Sequence, residues 1–174
     1  MFDPTVFDNL KVAIENYAYD LDNLDSTIRI THRVDRLEMA VMSRLFALRF
    51  TLADSSDLSA ELQLEASLKD LASELLAVEG ENPACTLRLF FHMPIENVDR
   101  QCEQVEMIIQ DIWQPEEPPV QTLSFAYGQQ IPQYSNTIEL AFQRKINEDQ
   151  MEDIPELLEH MVKTLSALLS VSEV

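Results

Sequence analysis

The chain has 174 residues, with 31 acidic against 12 basic side chains, a formal charge of −19 and only two glycines. A field that negative repels nucleic-acid phosphates and anionic lipid surfaces, and two glycines leave almost nothing for a phosphate-cradling loop, so no direct nucleic-acid or membrane binding is expected. Apolar residues at 46% and charged residues at 25% are ordinary globular values, which predicts a single folded domain over residues 1–174 rather than disorder.

Asp3-Pro4 supplies a helix start, an acceptor followed by a proline whose missing N–H costs nothing. Phe7, Leu10, Ile14, Tyr17 and Leu21 follow at helical spacing. Ile28, Ile30, His32 and Val34 alternate with Arg29, Thr31 and Arg33 as a half-buried strand. Phe46, Leu48, Phe50 and Leu52 form the inward side of a second. Asp54-Ser55-Ser56-Asp57 reads as a turn and cap that opens a long helix with the stripe Leu64, Leu68, Leu71, Leu75 and Val78, ended by Gly80 and Pro83. Leu87, Leu89 and Phe91 make a third strand, broken at Pro94. Val98, Cys102, Val105, Ile109 and Ile112 make another helix. Pro115-Glu116-Glu117-Pro118-Pro119 is the clearest loop. Leu123, Phe125 and Tyr127 then pair as a strand with Ile138, Leu140, Phe142 and Ile146. A last helix from Asp153-Ile154-Pro155 buries Leu158, Met161, Val162, Leu165, Leu168 and Leu169.

Hairpins without parallel crossovers predict an α+β fold, a mainly antiparallel sheet of about five strands with four helices on one face. The order α-β-β-α followed by β-α-β-β-α raises an internal pseudo-repeat, residues 1–80 and 84–174. In it Phe46-Ala47-Leu48-Arg49 matches Leu140-Ala141-Phe142-Gln143, each feeding a long helix. Chance recurrence of hairpin-then-helix explains the same order.

The charge is unevenly spread. Residues 28–50 hold Arg29, Arg33, Arg36, Arg44 and Arg49 against Asp35 and Glu38, a local +3. Guanidinium forks suit carboxylate or phosphate, and Arg29 and Arg33 share a strand face by parity, so this hairpin is the candidate anion or partner contact. The competing reading, favoured by 31 available carboxylates, is that these arginines pair with the protein's own acids. His32, His92 and His160 are weak polar-site candidates. His32 shares parity with Ile28 and Ile30 as a core histidine, His92 ends a strand near Glu96, and His160 stands four residues after Glu156. With no HExxH, CxxC, calcium loop or nucleophile elbow, no catalytic residue, cofactor or metal is assigned. Trp113 beside the proline loop, with Phe125, Tyr127 and Tyr134, is either an interface or a lid on the core.

Met1-Phe2-Asp3-Pro4 is not a signal peptide, and Cys85 and Cys102 read as buried thiols in a reducing cytoplasm. These features point to a non-enzymatic cytoplasmic protein acting by protein–protein contact or self-association. One alternative is an acidic inhibitor, immunity-type protein or nucleic-acid mimic that occupies a basic partner. The other is an enzyme or small-molecule binder whose site is assembled from non-contiguous residues.

Overall fold

The structure, a computed structural model, describes residues 5–173. It is α+β, a six-stranded antiparallel sheet in the order β1-β2-β3-β4-β6-β5, with four helices. The strands are β1 (Ile28–Glu38), β2 (Ser43–Leu52), β3 (Ser55–Ala66), β4 (Thr86–Ile95), β5 (Val120–Ser124) and β6 (Tyr134–Ala141). The helices are α1 (Val6–Asn23), α2 (Leu68–Leu75), α3 (Val98–Trp113) and α4 (Ile154–Ser172), the last preceded by a 3-10 turn over Glu148–Asp153. Among the described residues no helix is long and apolar enough to cross a membrane.

Helix α1 begins at a capping box. Thr5 accepts from the Asp8 N–H and Asp8 accepts from the Thr5 N–H. The Asp3-Pro4 start lies outside the described residues. Phe7, Leu10, Ile14 and Leu21 then bury the face expected of them. Helix α4 lies across β2, β3 and β4, between α1 and α3. Its Leu158, Met161, Leu165 and Leu168 are wholly buried against the inward residues of those strands. Full burial of each such side chain contributes about 1.5–3 kcal/mol, so this stripe anchors the helical layer.

The largest departure from the sequence reading is β3. The helix expected from Asp57 to Val78 is a central strand over its first part, and only α2 is helical. Leu58, Ala60, Leu62, Leu64 and Ala66 are buried, while Ser59, Gln63 and Glu65 between them are half-exposed. The apolar residues follow period 2, with Glu61 between them covered on the opposite face, and pairing with β2 on one side and β4 on the other outweighs the helix propensity of Leu, Ala, Glu and Gln. Asp54 sits in the tight β2–β3 turn, and the helix cap is Ser67, in a capping box with Asp70. Consequently Phe46–Arg49 leads into a hairpin, whereas Leu140–Gln143 leads through the 3-10 turn into α4.

Pro94 does not end β4. It pairs with Ser135 of β6 at a point where β3, whose last partner is His92, has already left the other side. Phe125 and Tyr127 lie beyond β5, exposed in the loop before β6.

Candidate functional site

A bulge decides where the arginines of the first hairpin go. Ile30 pairs with Phe50, but His32 pairs with Arg49, so Thr31 is the extra residue and parity reverses. Arg29, opposite Thr51, faces the open side of the sheet. Arg33, opposite Leu48, faces the helices. The shared face expected from alternation is therefore lost, and His32 is exposed on the open side rather than set in the core.

On the helix side, Arg33 pairs with Glu15 of α1 and its guanidinium lies over the Phe46 ring. Arg44 bonds Asp8 at 2.6 Å, reaches Asp35 at 3.5 Å and covers the Phe7 ring. Lys11 closes the group onto Asp35 at 2.8 Å. Burial pushes Asp8 and Asp35 upward. Hydrogen bonds from Thr5 and Arg44 to Asp8, and from Lys11 to Asp35 beside the Arg44 charge, outweigh it and hold both below the ordinary carboxylate value. These two arginines fasten α1 to the sheet. Arg49 is likewise paired, its Nε donating to Glu61 at 2.8 Å. Arg29 and Arg36 have no ion-pair partner among the described residues, and both face the open side.

That open side is a lattice of cross-strand pairs. His32, Arg49, Glu61, Phe90, Glu139 and Val120 follow one another from edge to edge. Glu61, only 7% exposed, also accepts from Gln63 at 2.6 Å. In the next row His92 Nδ1 meets Thr137 Oγ1 at 3.2 Å, and its buried Nε2 has no partner among the described residues. Burial, and then the Arg49 charge, hold His92 below the ordinary imidazole value, so it is neutral at pH 7. A shallow concavity of about 320 Å³ lies beside this lattice, lined by Arg36, Glu38, Leu45, Gln63, Glu65 and Arg88.

The three histidines do not converge. His32 on β1 and His92 on β4 are three strand spacings apart, about 14 Å. His160 belongs to α4 on the other side of the sheet. It bonds the Glu156 carbonyl through Nδ1 at 2.8 Å and packs at a tilt against Trp113, ring centroids 5.6 Å apart. Among the described residues, no three His, Cys, Asp or Glu side chains gather as a metal set. The Cys85 thiol is buried and pushed up to about 12 by that burial and by Asp70 and Glu74, which removes it as a nucleophile at neutral pH. Cys102 is half-buried rather than buried, and its pKa is also raised, by burial and then by Asp99.

Two apolar surfaces lie outside the core; the first had no signal in the sequence, where Leu68, Leu75 and Val78 read as the buried stripe of a helix, and the second was only partly visible. The tip of the β1–β2 hairpin exposes Leu37, Met39, Val41 and Met42. Leu68, Leu75, Leu76 and Val78 are exposed on α2 and just after it. Both lie at one end of the sheet, because Leu37 pairs with Arg44 and Arg44 with Ala66, two residues before Leu68. The second surface is a cleft of about 320 Å³ between the end of α3 and the start of α4, with Trp113 in its lining. The Trp113-proline-loop signal pointed there; the Phe142, Ile154 and Leu157 contributions come from chain segments that only the fold assembles.

Comparison with protein-family models, with curated proteins and with solved structures finds no match.

Proposed function

We propose that this chain acts by binding proteins rather than by catalysis, and that its first partner is a second copy of itself, met at the end of the sheet where the β1–β2 hairpin projects. The observation that carries the reading is the exposed tip, Met39 at 68% and Val41 at 60%, with Leu37 and Met42 beside them. Contiguous exposed apolar side chains mark contact surfaces, and methionine adapts its shape to what it meets. The same end presents Leu75 and Leu76 at the end of α2, so a two-fold arrangement sets one copy's hairpin against the other's α2 segment. Charge supports that pairing. The hairpin segment is net basic, and Arg36 near its tip has no ion-pair partner among the described residues. The segment from Leu68 to Asn82 carries Asp70, Glu74, Glu79 and Glu81 against Lys69. A formal charge of −19 supports the absence of direct nucleic-acid and lipid contacts. The two free cysteines support a reducing, cytoplasmic setting.

Sedimentation velocity over a wide concentration range tests this. The wild type sediments as a dimer, and Met39→Asp with Val41→Asp sediments as a monomer with unchanged circular dichroism. A wild type that stays monomeric at the highest concentration removes self-association. A dimer that survives the double substitution removes the hairpin.

A further inference from the structure

The cleft between the C-terminal end of α3 and the N-terminal end of α4 is separate from the hairpin tip, displaced along the same end of the sheet toward β6. We propose that it receives one bulky apolar side chain from a basic protein segment, with lysines or arginines of that segment lying over its acidic rim.

Size and lining come first. At about 320 Å³ the cleft sits at the low end of ligand pockets, which run from about 300 to 1,000 Å³, too small for a large cofactor and suited to one anchoring group. Leu87, Trp113, Pro115, Phe142, Ile154 and Leu157 make its lining predominantly apolar.

The wall is also held in place. Trp113 Nε1 donates to Thr164 Oγ1 at 2.9 Å, and that hydroxyl donates to the His160 carbonyl at 2.7 Å. The indole packs edge-on to Phe142, with ring centroids 6.2 Å apart, and at a tilt against His160, 5.6 Å away. Gln143 ties the proline loop down by donating to Glu117 Oε1 at 3.0 Å. A wall fixed before binding spends no ordering entropy when an anchor arrives.

The rim selects the anchor's neighbours. Glu116 and Asp153 line the mouth, and Glu117, Asp149, Glu152 and Glu156 are exposed close by in the chain. Arg144 is the one cation lining the cleft. None of Glu116, Asp149, Glu152, Asp153 or Glu156 has an ion-pair partner among the described residues. The start of α4 on its own would attract an anion. Its dipole is already met by Asp153 at the N-cap and Glu156 in the first turn, which leaves the net field at the mouth negative. An acidic peptide or a fatty carboxylate meets that field unfavourably; a basic segment is drawn to it.

Trp113 is the only tryptophan, so its emission reports occupancy directly. The probe is a tryptophan-free peptide with a central phenylalanine flanked by lysines. It is compared with the same peptide carrying alanine at the centre, and with a glutamate-flanked phenylalanine peptide. The expected result is a saturable, salt-sensitive emission shift with the first peptide alone. The dissociation constant should rise about tenfold in the protein bearing Glu116→Gln with Asp153→Asn, exposed positions that leave the fold intact. No saturable shift with the lysine–phenylalanine peptide overturns the proposal. So does an equal response to the alanine peptide, which would mean charge alone, or to the glutamate-flanked peptide, which would mean the rim does not select.

Discussion

On the covered face of the sheet Leu48, Phe50, Leu62, Leu64, Leu89 and Phe91 are sealed under the helical layer. On the open face the same strands set Arg49, Glu61, Gln63, Arg88 and Phe90 against one another, with no layer above them. The covered face excludes water by adding a second layer of structure. The open face does so laterally, and long side chains shield their neighbours enough to leave Ala47 and Thr51 nearly buried. The first arrangement is cooperative and intolerant of lost volume. The second is a set of pairwise contacts, each of which water can replace.

That difference predicts very different costs at adjacent positions of one strand. Leu62→Ala, at a fully buried position of β3 facing α4, should lower unfolding free energy by about 3 kcal/mol, because the strands on both sides prevent the space from closing. Its neighbour Glu61 is nearly as buried but faces the other way. Glu61→Ala should cost only about 1 kcal/mol, since Arg49, with a side chain 39% exposed, can turn to solvent when its partner is lost. Urea denaturation of both variants measures the ratio. Equal losses would mean that the open face is as tightly integrated as the core, and the contrast between the faces would collapse.

How much of this was legible follows from which signals were local. Helices α1, α3 and α4 were readable because each carries a long apolar stripe at 3.6 spacing. β3 was misread although its alternation from Leu58 to Ala66 is complete. Leu64, Leu68, Leu71 and Leu75 also fit a helical stripe, and only the presence of β2 and β4 on both sides decides between the two periods. The Thr31 bulge had no sequence signature at all, and one extra residue moved His32 from the expected core to the open face and Arg33 from the open face to α1. The Trp113 cleft was half legible. Tryptophan beside a proline loop is local, but Leu87, Phe142, Ile154 and Leu157 converge on it only after the chain has folded.

The polar margin between the two faces, where α1 meets β1 and β2, should give the smallest effect and one that appears through pH. Asp8 and Asp35 are held below the ordinary carboxylate value in the folded chain by Thr5, Arg44 and Lys11 despite the burial that opposes it. A depressed folded-state value means the stabilisation is complete above the unfolded value, about pH 3.9, and is lost as pH falls through the folded one. Absolute stability against pH will not isolate this, because protonating the acids of a chain at −19 also relieves repulsion and stabilises it. The difference between wild type and Asp8→Asn does isolate it, since that background repulsion is nearly common to both. The gap should be constant from neutral pH down to about pH 5 and close below about pH 4, as the wild-type carboxylate becomes as neutral as the asparagine. A gap that stays constant down to pH 2 would show that Asp8 acts through its shape in the Thr5 capping box alone. In that case the ion pairs at this margin would contribute as little as those of an exposed surface.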